Sequence, residues 1–153
     1  MLEEMLATRK GQFGIRHAGS PTAPLVICLH GFPDDATTFD EVAAQLVANG
    51  YRTAAPYLRG YAPSPLAGPY KTGELVDDLL SIIEELSPDQ PVCLVGHDYG
   101  AQYGYAALAR HKRRFSAAVM LAGVHSSAIN ANIRRLPKQW WMSRYIVFFQ
   151  FKA

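Results

Sequence analysis

Four short apolar runs separated by longer amphipathic stretches constrain this chain more than any other feature. The first, "PLVICLH" (24–30), is continuous and rich in branched residues, without the alternation of a strand that has one wet face. It is expected as a strand buried on both faces. "YRTAAP" (51–56), "PVCLVG" (91–96) and "FSAAVMLAG" (115–123) read as three further strands. Between the first two, Thr38 and Glu41 have the spacing of a capping box, Phe39, Val42, Ala43, Leu46 and Val47 share one helical face, and Gly50 closes the helix. Leu75, Leu79, Ile82, Ile83 and Leu86 mark a second amphipathic helix, and a helix of small residues begins at Tyr99. Strands alternating with helices imply βαβ units, hence a mainly parallel sheet with helices on both faces. Two short alternating stretches around residues 4–17 precede it, and the Gly- and Pro-dense "LRGYAPSPLAGPY" (58–70) is loop.

Composition narrows what such a sheet could serve. With 49% hydrophobic and 18% charged residues over 153 positions, the chain is a packed domain and not a disordered one. A net charge of +2, with basic residues dispersed apart from Lys112, Arg113, Arg114 and the pair Arg134, Arg135, does not make a nucleic-acid surface. The run "HKRR" (111–114) is expected to complement the carbonyls at the end of the helix it follows. Cys28 and Cys93 lie inside strand-like runs with no ligand spacing around them, so buried reduced thiols are expected and no metal site. The first residues carry acids where a secretory signal needs bases, and no stretch reaches membrane-spanning length, so a cytoplasmic protein without a membrane span is expected.

In sheets of this kind the reactive groups gather at the carboxyl ends of the strands. One such end reads "LVGHDYGA" (94–101), in which Gly96-x-Asp98-x-Gly100 has the spacing of a nucleophile elbow: flanking glycines permit a strained strand-to-helix turn that exposes the central side chain. The N–H of the next residue, Tyr99, is then free to stabilise an oxyanion. A second donor, the N–H of Phe32, is expected from "HGFP" (30–33), which ends the strand expected beside the elbow strand.

"LHGFPDDATTFDEVAAQLVANGYRTAAPYLRGYAPS" followed by "LVGHDYGA" resembles the α/β-hydrolase superfamily, and within it the branch of epoxide hydrolases and haloalkane dehalogenases. The resemblance implies an α/β-hydrolase fold with Asp98 as nucleophile. Serine needs a base to attack, whereas an aspartate, with a reference pKa of about 3.9, is already ionised at neutral pH and can attack a saturated carbon directly. The product is an alkyl ester of Asp98, which water then hydrolyses at the carboxyl carbon. Attack on a carboxylic ester would give a mixed anhydride instead, which argues against an esterase. The resemblance implies supporting roles for His30 and His97, which hydrogen-bond the turn and do not act as base; His17, His111 and His125 are expected as ordinary polar side chains.

Opening an epoxide releases an alkoxide that needs a proton donor, and the family's first tyrosine donor stands four residues before a Phe-Gln pair; Tyr145 stands four before Phe149-Gln150. A small apolar epoxide is therefore the expected substrate, with a halide as the alternative. Dehalogenases usually place Trp after the nucleophile, as epoxide hydrolases commonly do, and fluoroacetate-type enzymes Arg, where this chain has Tyr99. Tyr57 replaces an Asp frequent in the family. No cofactor is implied. The family's base, a histidine after the last strand, and its orienting acid have no counterpart in these residues. The chain is accordingly expected to be the amino-terminal portion of the fold, with the core over 1–127 and the start of a helical cap over 128–153. That reading leaves a sheet edge exposed and implies self-association; a non-catalytic remnant that pairs with another chain is the alternative of another class.

Overall fold

A computed structural model describes residues 1–123, 127–128, 137–142 and 144. The main elements among them are β1 (Leu2–Thr8), β2 (Gly11–Ala18), β3 (Leu25–Leu29), α1 (Asp40–Ala48), β4 (Arg52–Pro56), α2 (Thr72–Leu86), β5 (Val92–His97), α3 (Tyr99–Arg110), β6 (Phe115–Leu121) and α4 (Pro137–Met142). The chain forms two compact units, Met1–Gly123 and Val124–Ala153. In the second, Arg144 stacks over the Trp141 ring at 3.7 Å and donates to the Trp141 carbonyl at 2.9 Å. No helix among the described residues is long and apolar enough to cross a membrane.

The first unit is a single sheet in the order β1-β2-β4-β3-β5-β6. β1, β2 and β4 pair antiparallel, while β4, β3, β5 and β6 run parallel, as the strand–helix alternation predicts. In β3 the side chains of Leu25, Ile27 and Leu29 enter the larger core with α2 and α3, and those of Val26 and Cys28 enter a smaller one with Phe39, Ala55 and Tyr57. All five are buried, so both faces of this strand are covered, which is why its sequence does not alternate. Buried among apolar groups, the Cys28 thiol is pushed up to about 12. Cys93 departs from expectation: it is only partly buried, with its sulfur 3.4 Å from Ser116 Oγ. β6 forms one edge of the sheet, and most of its side chains are exposed, including Val119 and Leu121.

Two helix-end expectations are corrected. The Thr38–Glu41 capping box is not used, because Asp35 acts first: its carboxylate accepts from the Thr37 N–H at 2.8 Å and the Thr37 hydroxyl at 2.6 Å. That starts a 3-10 turn over Ala36–Phe39, and α1 begins only at Asp40, so Phe39 is buried from the turn while Val42 faces solvent. The basic run after α3 serves a different helix. Arg114 donates to the Ser87 and Pro88 carbonyls at 2.9 and 2.8 Å, and Arg52 to the Leu86 carbonyl at 2.7 Å, so the cations neutralise the carboxyl end of α2.

Candidate active site

Register places two loops side by side. Leu29 at the end of β3 pairs with Gly96 in β5, so the "HGFP" loop and the turn at Asp98 leave the sheet as neighbours. Asp98 is the residue between β5 and α3, with φ 49° and ψ −111°. Such a conformation in a non-glycine residue costs on the order of 1–3 kcal/mol and persists only where the surroundings fix it. They do so here: the Asp98 N–H donates to the Leu121 carbonyl at 2.9 Å, and the Asp98 carbonyl accepts from the Ala101 and Gln102 amides at 3.1 and 3.2 Å.

The flanking glycines act differently from the expectation. Neither Gly96 nor Gly100 has a positive φ; the strain sits in Asp98 itself. Their contribution is lack of bulk. A Cβ on Gly100 would collide with the Leu29 carbonyl, and one on Gly96 would lie 2.9 Å from Ala101 Cα. The missing side chains let α3 rest against β3 and β5. Gly31, which the sequence reading did not single out, has the same function across the site: a Cβ there would collide with the Asp98 side chain.

The two predicted segments meet. The Phe32 N–H donates to Asp98 Oδ1 at 3.1 Å, across 66 positions of sequence. Tyr99 opens α3, whose leading amides have no carbonyl partner within the helix. No contact between the Tyr99 N–H and Asp98 is formed among the described residues. The Tyr99 phenol turns toward the 58–70 loop, where it donates to the Tyr70 carbonyl at 3.4 Å, and its ring stands edge-on to Tyr103.

His30 is fully buried. Its Nε2 accepts from the Leu58 N–H at 3.1 Å, and its Nδ1 lies 3.0 Å from the Gly31 carbonyl. Burial lowers its pKa. The ring of Tyr61 meets it edge-on at 4.5 Å. Burial and then the negative charge of Asp98 raise the Tyr61 phenol, which puts this tyrosine in the electrostatic surroundings of the carboxylate. Tyr61 lies in the loop that follows β4; its sequence position, with Arg59, marked it as belonging to the carboxyl end of a strand but gave it no role. Arg59 anchors that loop with a bidentate pair to Asp78 on α2, both contacts at 2.7 Å. Tyr57, in place of the frequent Asp, donates to Glu3 at 3.0 Å. His97 does not give the expected hydrogen bond: its Nδ1 is buried without a partner among the described residues. His17 pairs with Glu4 at 3.5 Å, and no histidine among the described residues is hydrogen-bonded to Asp98. Tyr145, Phe149, Gln150 and His125 lie outside the described residues.

A family model described as alpha/beta hydrolase fold matches residues 24–152. Epoxide hydrolase 3 of Xenopus tropicalis is 34% identical over 137 residues, which cover 87% of this chain and 36% of that protein. Among solved structures, an epoxide hydrolase from Vigna radiata aligns with a TM-score of 0.73 at 28% identity, over 78% of this chain and 39% of that one. A thioesterase domain from the curacin biosynthetic pathway aligns equally well, with a TM-score of 0.73 at 30% identity over 88% of this chain and 52% of that one. The chain spans about a third to a half of the length of these relatives.

Proposed function

The chain belongs to the α/β-hydrolase fold family, on its epoxide-hydrolase branch, and from that premise we propose that Asp98 is the nucleophile of an epoxide-opening reaction. The observation that carries the reading is a carboxylate held at a strained elbow with the Phe32 N–H on its Oδ1. The fold alone does not choose the chemistry, since a thioesterase domain shares it; the residue type at the elbow does. One Asp98 oxygen attacks an epoxide carbon, the carbon–oxygen bond breaks, and the alkoxide takes a proton from a phenol, a role we assign to Tyr145. The result is a hydroxyalkyl ester of Asp98. In the second step water adds to the carboxyl carbon of that ester, and the developing oxyanion is held by the Phe32 and Tyr99 N–H groups; its collapse breaks the bond to the alkyl oxygen, which leaves as the diol with one water proton, while the other proton restores the phenol and Asp98 returns to a carboxylate. His30, Gly96 and Gly100 keep the two loops in register. His97 is the last residue of β5, immediately before Asp98.

A halide substrate is less well supported, because the Tyr99 phenol is engaged with the Tyr70 carbonyl instead of standing beside Asp98 as a halide donor. Among the described residues no histidine is hydrogen-bonded to Asp98, so the reaction of this chain is expected to stop at the ester. Incubating the purified chain with styrene oxide and weighing it by intact mass spectrometry tests this. One adduct is expected, mapped by peptide sequencing to Asp98 and absent in Asp98→Ala. An adduct confined to Cys93, the partly exposed thiol, or equal labelling of Asp98→Ala, overturns the assignment. Steady diol release would show that a base is present after all.

A further inference from the structure

We propose that the core of the first unit binds one water molecule, which bridges the Tyr103 hydroxyl on α3 and the Asp78 carboxylate on α2. The site is independent of the reaction assigned to Asp98 and concerns how the helix behind the elbow is held. Tyr103 is only 2% exposed, and its buried hydroxyl has no hydrogen-bond partner among the described residues. Leaving a buried hydroxyl unpaired is costly, and the large majority of such groups in folded proteins have a partner. This one lines a cavity of about 10 Å³ together with Asp78 and Arg59. One water needs about 10–15 Å³ of such room.

The chemistry of the lining selects the ligand. Phe13, Leu29 and Ile82 are among its apolar members, so a ligand must pair the few polar atoms and add little bulk. Arg59 donates once to each Asp78 carboxylate oxygen, both at 2.7 Å. Such an oxygen accepts two bonds, so each keeps a lone pair to offer. The ion pair already balances its own charge, with the two side chains only 10% and 6% exposed, so a neutral ligand fits better than a cation or an anion. Tyr103 forms no direct bond to the carboxylate. A water spans that gap by accepting from the phenol and donating to an Asp78 oxygen, which makes the second bond charge-assisted. Burial above all, with the charge of Asp78 contributing, raises the Tyr103 phenol well above its ordinary value, so it keeps the proton it donates. Tyr103 stands one turn past Tyr99 and edge-on to its ring. The water thereby fastens α3, just behind the elbow, to the ion pair that anchors the 58–70 loop, whose Ala67 carbonyl Arg59 also holds at 3.1 Å.

Two measurements test the site. A high-resolution crystal structure of the chain is expected to show water density within hydrogen-bond reach of both Tyr103 Oη and an Asp78 oxygen, and crystals held under xenon are expected to keep that water. The sign of the stability change in Tyr103→Phe gives the second reading. Deleting a bridged hydroxyl removes a favourable bond and leaves the water short of a partner, whereas deleting an unpaired one relieves a desolvation cost. In urea titration Tyr103→Phe is expected to lower the folded-to-unfolded ratio about fivefold, the loss of about one hydrogen bond. A ratio that stays the same or rises overturns the proposal. So does a Tyr103 hydroxyl bonded directly to Asp78, or xenon density in the cavity, since a dry apolar cavity takes up such an atom. Failure of the epoxide to label Asp98 is a separate outcome: it removes the proposed reaction and leaves the water site intact.

Discussion

Asp98 adopts backbone angles that are the mirror image of a common extended conformation, which glycine enters freely and a residue with a Cβ does not. The strain is a property of the folded backbone and is independent of the carboxylate. Asp98→Gly is therefore expected to be more stable than Asp98→Ala by about 1–2 kcal/mol in urea unfolding, although both lose the hydrogen bond from Phe32. Equal stabilities would mean that the turn relaxes once the carboxylate is gone. At this scale the sequence was a good guide to place and a poor one to cause. The spacing of Gly96, Asp98 and Gly100 located the turn, but a glycine serves either through its free φ or through its small size, and a one-dimensional pattern does not separate the two. Only the collisions a Cβ would make at Gly31, Gly96 and Gly100 assign them to close approach.

Among the elements, α2 best illustrates what a local pattern carries. Its apolar face was legible because Leu75, Leu79, Ile82 and Ile83 recur at helical spacing, and all four are buried. Its carboxyl end was not legible, because the groups that neutralise it, Arg52 and Arg114, come from 34 and 26 positions away. Read locally, "HKRR" belongs to α3, the helix it follows. Arg114→Ala is expected to destabilise the chain by about 1 kcal/mol, since charge-assisted bonds to partly exposed carbonyls are worth little more. Arg114→Lys should recover only part of the loss, as an ammonium cannot reach two carbonyls with the fixed fork of a guanidinium. Full stability in Arg114→Ala by urea titration would return the basic run to a solvated surface.

For the whole molecule, the parallel direction of the later strands and the placing of helices on both faces followed from alternating runs, because burying both faces of a strand leaves a direct mark on composition; the strand order itself did not. Individual polar contacts leave no such mark, and they govern how stability responds to pH. The buried His30 has a lowered pKa, so between its folded value and about 6.5, the unfolded value, the unfolded chain binds a proton that the folded one refuses, and stability falls as pH drops through that interval. A second acid decline follows below about pH 4, where Asp35, held low by Thr37, and Asp40, held low by Arg16, must take up protons. On the alkaline side the Cys28 thiol is pushed up to about 12 by burial, so the unfolded chain loses its proton first and stability falls as pH rises past about 8.5. Urea unfolding across this range is expected to give a plateau near neutrality with two separate acid steps. His30→Asn should remove the first step, because asparagine does not titrate, and leave the second in place. A parent chain equally stable at pH 7.5 and about 5 would mean that His30 is protonated in the fold, which is incompatible with an Nε2 that accepts from the Leu58 amide.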